Sequence, residues 1–275
     1  MLCFILQNMH LEDWLKIAEQ QLKNAGIGSA RLDALILLED ELRKERGWLL
    51  AHPELEISKT ALKRLNSKLK KRATHLPLAY VRGFSEFYGR KFLVNRYVLE
   101  PRPESETMIE LLLKLPLPDE VAIVDVGTGS GCLGITTKLE LHYAEVDLYD
   151  IDAGALSVAR HNQALHELHL HTRKSDLLNR HLRAYDVVLA NLPYVPDHYK
   201  INQAAAMEPR IAIFGGPDGL DLYRRFFAQL QRFSWQPKFV LCESLPPQHP
   251  ELARIAKSCG FEIYKSQDFI QVFTN

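Results

Sequence analysis

From Ala122 onward, short runs of β-branched and apolar residues alternate with helical stretches, and this alternation constrains the fold more than any other feature of the chain. The runs are Ala122-Ile-Val-Asp-Val126, Val146-Asp-Leu-Tyr-Asp150, Tyr185-Asp-Val-Val-Leu-Ala190 and Phe239-Val-Leu-Cys-Glu243. The helical stretches are Gly131–Leu141, Ala153–Leu168, Leu220–Phe233 and Pro250–Cys259. Strands joined through helices form parallel right-handed crossovers, so the pattern predicts the α/β class with an open, doubly wound, Rossmann-like sheet. Two last runs, Phe261–Lys265 and Phe269–Phe273, have too short a connection for a crossover and are expected to pair antiparallel at the sheet edge.

The residues before this region follow another period. Leu11, Trp14, Leu15, Ala18 and Leu22 share one helical face over residues 11–25, with Gly26 placed to end the helix. Ser29 is positioned to cap a second helix and Ser58 a third, with Pro77 beyond the end of the last. Three helices predict a small bundle. From Tyr80 to Pro103 the pattern turns aromatic and β-branched, punctuated by Gly83, Gly89, Pro101 and Pro103, as in a hairpin-like linker. The expected organisation is a helical domain at 1–78, a linker at 79–103 and the α/β domain at 104–275. A chain of 275 residues is long enough for one large and one small core.

Cys3, Cys132, Cys242 and Cys259 are scattered without a C-x-x-C pair, which argues for a reducing compartment rather than a disulfide framework. Met1-Leu-Cys-Phe-Ile-Leu6 has no basic residue before it and no small-residue cleavage site, so it reads as an apolar tail rather than a signal peptide. No stretch approaches the roughly 20 apolar residues of a membrane span. A soluble, cytoplasmic protein without membrane contact is expected. The formal charge of zero conceals an asymmetry: residues 1–58 sum to −4, residues 59–102 to +10 and residues 103–275 to −6. The basic segment 59–102 is either a docking surface for a polyanion or a solvated helix face.

Asp125-Val-Gly127-Thr128-Gly129-Ser130-Gly131-Cys132 lies where the first strand of the alternating region turns into its helix. Glycines there let the backbone turn tightly and approach a ligand, and the helix start offers free N–H groups. Asp150 ends the next strand 21 residues after Gly129, where a carboxylate can accept both ribose hydroxyls. A pocket for an adenosine-containing cofactor follows. Gly129-x-Gly131-x-x-Gly134 also satisfies a dinucleotide fingerprint, which keeps a nicotinamide dehydrogenase open. The D-x-G-T-G-S-G pattern looks like the first motif of class I S-adenosylmethionine-dependent methyltransferases, and a second motif decides between them.

That second motif is Asn191-Leu192-Pro193-Tyr194, directly after the strand ending at Ala190. The lone pair of a planar NH2 group is delocalised, so its methylation calls for two acceptors that hold both hydrogens and aim the nitrogen at an electrophilic methyl. The Asn191 side-chain oxygen and the Leu192 carbonyl can be those acceptors, Pro193 can stiffen the turn, and Tyr194 can wall the substrate.

These motifs resemble the protein-(glutamine-N5) methyltransferases of peptide chain release factors, the HemK/PrmC family. The likeness extends to Ala30-Arg-Leu-Asp-Ala-Leu35 and Trp48-Leu-Leu-Ala-His52-Pro53, and to Leu76-Pro-Leu-Ala-Tyr80, Glu86-Phe-Tyr-Gly89 and Pro101-Arg-Pro-Glu-Ser-Glu106. It continues through Glu208-Pro-Arg210, Gly215-Gly-Pro-Asp-Gly-Leu220 and Tyr223-Arg224. The resemblance implies transfer of methyl from S-adenosylmethionine to the glutamine of the Gly-Gly-Gln tip of release factors. It places the cofactor across Gly127, Thr128, Gly129, Ser130 and Gly131, the ribose on Asp150, the adenine near Asp176 and Leu177, and the target amide on Asn191 to Tyr194. It also implies that the helical N-terminal domain helps dock the release factor; we further expect a monomer.

Two departures stand out. Leu192 replaces the family's usual proline, giving a tetrapeptide also familiar from ribosomal-RNA adenine dimethyltransferases, and Lys265-Ser-Gln-Asp-Phe-Ile270 lacks the family's Gly- and Arg-containing turn. Leu192 and the basic segment therefore keep open an adenine amino-group methyltransferase acting on RNA or DNA. A non-catalytic protein docking on the translation machinery is a third reading, opposed by the intact glycine loop. His161, His166, His169 and His171 lack a completing carboxylate or Cys, so no metal site is expected. Glu243, ending the strand after Val240-Leu-Cys242, is either a carboxylate near the site or, as we expect, one capping a neighbouring turn.

Overall fold

The structure is a computed structural model that describes residues 9–275. The apolar stretch Met1–Leu6, with Cys3, lies outside the described residues. Two compact units are present. One comprises the described residues up to Gly83 with Asn202–Met207, and the other Phe84–Ile201 with Glu208–Asn275.

The first unit pairs a two-residue strand β1 (Met9–His10) with β2 (Glu56–Ile57) beside five helices: α1 (Leu11–Asn24), α2 (Ala30–Leu42), α3 (Arg46–Ala51), α4 (Lys59–Ala73) and α5 (Leu78–Arg82). The face of α1 carrying Leu11, Trp14, Leu15, Ala18 and Leu22 is buried against Leu37 and Leu38 of α2 and Leu65 of α4 in one core. Gly26 ends α1 in the left-handed region at φ 79°, and Ser58 Oγ accepts the Ala61 N–H at 3.3 Å to cap α4. Ser29 makes no capping bond at α2, because its backbone is not in the extended conformation that aims a capping oxygen at the helix. Helices α3 and α5 add to the three expected. Pro77 before α5 and the left-handed Gly83 after it turn Leu78–Arg82 into a helix where a linker was expected to begin.

The second unit opens with a hairpin of β3 (Phe84–Phe87) and β4 (Arg90–Leu93), whose turn residues Tyr88 and Gly89 both have positive φ, as a two-residue hairpin turn requires. After α6 (Glu106–Leu112) come β5 (Ala122–Val126), α7 (Cys132–Glu140), β6 (Glu145–Asp150), α8 (Ala153–Leu165), β7 (His171–Lys174) and β8 (Val187–Ala190). The unit closes with α9 (Asp221–Arg232), β9 (Phe239–Glu243), α10 (His249–Ser258), β10 (Glu262–Gln267) and β11 (Ile270–Thr274). The strands form a seven-stranded sheet in the order β10-β11-β9-β8-β5-β6-β7. Strands β5 to β9 run parallel, and β11 and β10 add antiparallel at one edge.

Successive strand residues go to opposite faces of the sheet. Ile123, Leu148, Val187, Leu189 and Leu241 join one buried cluster, while Val124, Val126, Val188, Ala190 and Val240 join the other with Phe226 and Phe227. Burial on both faces is why these strands read as nearly continuous apolar runs. From β5 the chain winds through β6 and β7 to one side and through β8 and β9 to the other, so strand order reverses between β5 and β8. Open α/β sheets bind ligands beyond the carboxyl ends of the strands at such a reversal. Among the described residues, no helix is long and apolar enough to cross a membrane.

Candidate active site

The glycine loop leaves β5 at Val126, and Gly127, Gly129 and Gly131 have φ of 72°, 54° and 84°, conformations that residues with a Cβ seldom adopt. Asp125 ties the loop together: its Oδ2 accepts from Thr128 Oγ1 at 2.5 Å and from the Gly134 N–H at 3.0 Å. Burial pushes the Asp125 carboxyl up to about 6 against those two bonds. The Gly127 and Thr128 N–H groups both donate to the Tyr149 carbonyl, at 2.8 and 2.9 Å, which pins the loop to the end of β6.

Asp150, the last residue of β6, accepts the Gly129 N–H on Oδ2 at 2.9 Å and the Asp152 N–H on Oδ1 at 2.8 Å. Each oxygen therefore spends one lone pair on the backbone and keeps capacity for a further donor. Burial raises the carboxyl above its ordinary range, with the backbone bonds pulling it back.

A cavity of about 230 Å³ lies beyond these strand ends, within the second unit. Gly127, Thr128, Gly129 and Ser130 of the loop line it, with Asp150. Asp176 and Leu177 line it after β7, and Asn191, Leu192 and Pro193 after β8. Two residues singled out from the sequence are not in the lining. A Cβ on Gly131 would come within 2.8 Å of Ile135 Cδ1 and 3.3 Å of Ala159 Cβ, so that glycine serves close packing. Tyr194 turns its hydroxyl to Glu243 Oε1 at 2.9 Å. Asp176 is paired on Oδ2 with Arg225 Nη2 at 2.5 Å. Gly127 and the tetrapeptide touch, since a Cβ on Gly127 would lie 3.2 Å from Leu192 Cδ2.

Glu243 does not cap a turn. It is buried, and its Oε2 accepts from Ser105 Oγ at 2.5 Å, which in turn accepts from Asn191 Nδ2 at 3.0 Å. Tyr223 is buried behind the same strand ends. Its hydroxyl accepts the Leu192 N–H at 3.3 Å and faces the Ala190 and Glu243 carbonyls at 3.0 and 2.5 Å. Ser105 read only as part of a motif before α6, and Tyr223 only as part of the segment after the tetrapeptide. The lining also takes in Tyr97, Val98 and Pro101 from the stretch after the hairpin, and Cys132, whose thiol burial pushes up to about 12.

The histidines of 161–171 do not converge: His166 Nε2 bonds to the Lys91 carbonyl at 2.9 Å, and His171 begins β7. Among the described residues no group of three or more His, Cys, Asp or Glu is placed to hold a metal ion.

A doubly wound sheet with this antiparallel edge, a glycine loop after its first strand, a carboxylate ending the second and an Asn-x-Pro-Tyr turn at the reversal define a class I methyltransferase. The model of the PrmC N-terminal domain matches residues 13–83, and that of the methyltransferase small domain matches residues 105–208. Over 229 residues the chain is 38% identical to the release factor glutamine methyltransferase of Koribacter versatilis, covering 81% of each chain. It is 31% identical to that of Coxiella burnetii, covering 92% of each. The chain belongs to the release factor glutamine methyltransferase family. A methyltransferase from Pyrococcus furiosus shares the fold at a TM-score of 0.50 and 13% identity, over 78% of this chain and 97% of that one.

Class I methyltransferases draw their methyl group from S-adenosylmethionine, and this chain is one of them. The residues present fit that cofactor: the glycines at 127 and 129 leave the cavity floor bare of side chains, and Asp150 retains acceptor capacity beside it.

Proposed function

We propose that this protein methylates the side-chain amide nitrogen of the glutamine in the Gly-Gly-Gln tip of peptide chain release factors. The observation that carries this reading is that Asn191 lines the cavity with its Nδ2 engaged by Ser105, which leaves Oδ1 as the acceptor of that side chain. With the Leu192 carbonyl as second acceptor, both hydrogens of an amide NH2 are held, and the nitrogen is turned toward the loop. Orientation of this kind supplies much of the catalysis for a weak nucleophile.

When bound, S-adenosylmethionine supplies a methyl group on a positively charged sulfur. Held by Asn191 and the Leu192 carbonyl, the amide nitrogen would take that methyl, with the electron pair of the broken C–S bond left on sulfur and one proton released to solvent. In this reading Gly127 to Gly131, with Thr128 and Ser130, shape the cofactor site and Asp150 accepts the ribose hydroxyls. Leu177 and the free oxygen of Asp176 face the adenine. Pro193 stiffens the turn, and Tyr194 backs it.

The names of the relatives support a release factor as substrate, and the helical first unit is the part we assign to docking it. A polyanion contact through the basic segment 59–102 would fall to those of its cations that no carboxylate holds. Within 59–102, Arg64 and Lys68 pair with Glu41, Arg72 with Asp33, Arg82 with Asp40, Arg90 with Glu140 and Arg102 with Glu208. Lys59, Lys63, Lys70 and Lys71 stay exposed on α4. We assign the protein to the cytoplasm, where release factors work, as a monomer.

The test is transfer of labelled methyl from S-adenosylmethionine to a purified release factor, beside a version with the Gly-Gly-Gln glutamine replaced and beside bulk RNA. Label on the intact factor alone is expected. Label on RNA alone would replace this reading with an adenine methyltransferase. An Asn191→Ala variant is expected to bind cofactor normally and to lose transfer by about 100-fold, the scale for removing one well-aimed polar group from an active site.

A further inference from the structure

A side-chain amide is symmetric in shape and opposite in polarity at its two ends, so an active-site asparagine must be told which end to show. Three elements meet behind Asn191: the residue before α6, the end of β8 and the end of β9. The Glu243 carboxylate at the end of β9 has no hydrogen to give. The Ser105 hydroxyl, 2.5 Å away, must therefore donate to it, which spends its one hydrogen. Ser105 Oγ can then only accept from Asn191, 3.0 Å away, and the atom that donates must be Nδ2. Tyr194 donates to the other carboxylate oxygen of Glu243 at 2.9 Å, so the carboxylate is anchored on both sides, and the Tyr223 hydroxyl holds the Glu243 backbone carbonyl at 2.5 Å.

We propose that Glu243, acting through Ser105, fixes the polarity of the Asn191 amide and so makes the site select a substrate group that donates two hydrogens over one that only accepts. Glu243 and Ser105 are positioning residues in this account, and the account rests on the role given to Asn191 above. It assigns the site's discrimination between a glutamine and a glutamate side chain to residues outside the tetrapeptide. With the relay intact the cavity presents Asn191 Oδ1 and a backbone carbonyl, both acceptors, and a carboxylate placed there meets two oxygens and no donor.

The relay reverses if Glu243 takes up a proton. A protonated carboxyl can donate to Ser105, Ser105 can then donate to Asn191 Oδ1, and the amide turns its hydrogens to the cavity. Burial raises the Glu243 carboxyl and Glu104 raises it further, while hydrogen bonds from Ser105, Tyr194 and Asn191 pull it back. The other ionisable groups facing this cluster are Tyr194, Tyr223 and Cys132, all raised by burial, and Arg102, which acts on Tyr194.

The test compares Glu243→Gln, Ser105→Ala and Asn191→Ala with the parent protein. The readouts are affinity for S-adenosylhomocysteine, kcat and KM on a release factor, the pH profile of kcat, and inhibition by a release factor with a Gly-Gly-Glu tip. Glu243→Gln and Ser105→Ala are expected to hold S-adenosylhomocysteine within threefold of the parent and to lose at least tenfold in kcat with less than threefold change in KM. They should also narrow the preference for the Gln tip over the Glu tip by tenfold, and Glu243→Gln should lose the acid limb of the profile. Parent-like kcat and preference in both variants, with Asn191→Ala inactive, would overturn the relay alone. Full activity in Asn191→Ala would overturn the reading beneath it. If Glu243→Gln fails to fold, Ser105→Ala decides, because it removes one hydroxyl from a small buried side chain.

Discussion

Leu192 carries a backbone N–H where the family's proline has none, and that hydrogen is not wasted: it is given to the Tyr223 hydroxyl. The side chain is buried at 2% exposure beside Gly127, so the departure from the family pattern is absorbed by packing and one extra bond rather than by a looser turn. Asp150 and Asn191 were legible in the sequence because each ends an apolar run next to a recognisable turn. Ser105, Tyr223 and Glu243 were not, since their meaning lies in mutual contact and Ser105 and Glu243 stand 138 residues apart. Replacing Asp150 by Ala removes a charged acceptor beside the cavity. Hydrogen bonds to charged groups contribute about 1.5–3 kcal/mol each, so S-adenosylhomocysteine should bind roughly 10- to 100-fold more weakly by calorimetry. Methyl transfer at saturating cofactor should be affected far less.

At the scale of elements, strands buried on both faces announce themselves and polar ones do not. β5, β6, β8 and β9 were readable as apolar runs, but β7, His171-Thr-Arg-Lys174, lies at the sheet edge with His171 and Lys174 exposed and carries no apolar pattern to read. β8 begins at Val187 rather than at Tyr185, and the two side chains before it make polar contacts. Tyr185 donates to Asp147 at 2.6 Å, and Asp186 accepts the Ala122 N–H at 2.8 Å. The turn from β5 into α7 tolerates little. A Gly131→Ala variant must hold a left-handed backbone, which costs about 1–2 kcal/mol, and must displace Ile135 as well. Its urea midpoint should fall, and its affinity for S-adenosylhomocysteine should fall with it. Unchanged values for both would mean that the loop has room that the packing at Gly131 denies.

Across the whole molecule, buried carboxylates set the response to pH. Asp125, Asp147, Asp150, Glu208 and Glu243 are all raised by burial. Between about pH 4 and 6 the folded chain keeps a proton on Asp125 that the unfolded chain has released, so the native state binds more protons and stability falls as pH rises through that window. For Asp125 alone the difference between the two limits is roughly 3 kcal/mol. Asp218, held at about 2 by Arg224, contributes in the opposite sense, its share being lost only as pH falls through that value. Denaturation midpoints at pH 4.5 and 7 should show the decline, and Asp125→Asn should flatten it. Among the described residues, the buried core of the first unit is drawn from residues between Leu11 and Val81. Leu65→Ala, at a fully buried position in α4, should cost about 2–5 kcal/mol there and raise KM for release factor while leaving S-adenosylhomocysteine affinity intact. A parent-like KM would remove the docking role from that unit. The sheet, finally, ends on β7, only four residues long, and on β10, which carries Glu262 and Lys265 and a bulge between Ile263 and Lys265. Short, charged and irregular borders are poor templates for an added strand. Crowded together while newly made, copies of this chain would meet, at either border of the seven-stranded sheet, a strand ill suited to begin an aggregate.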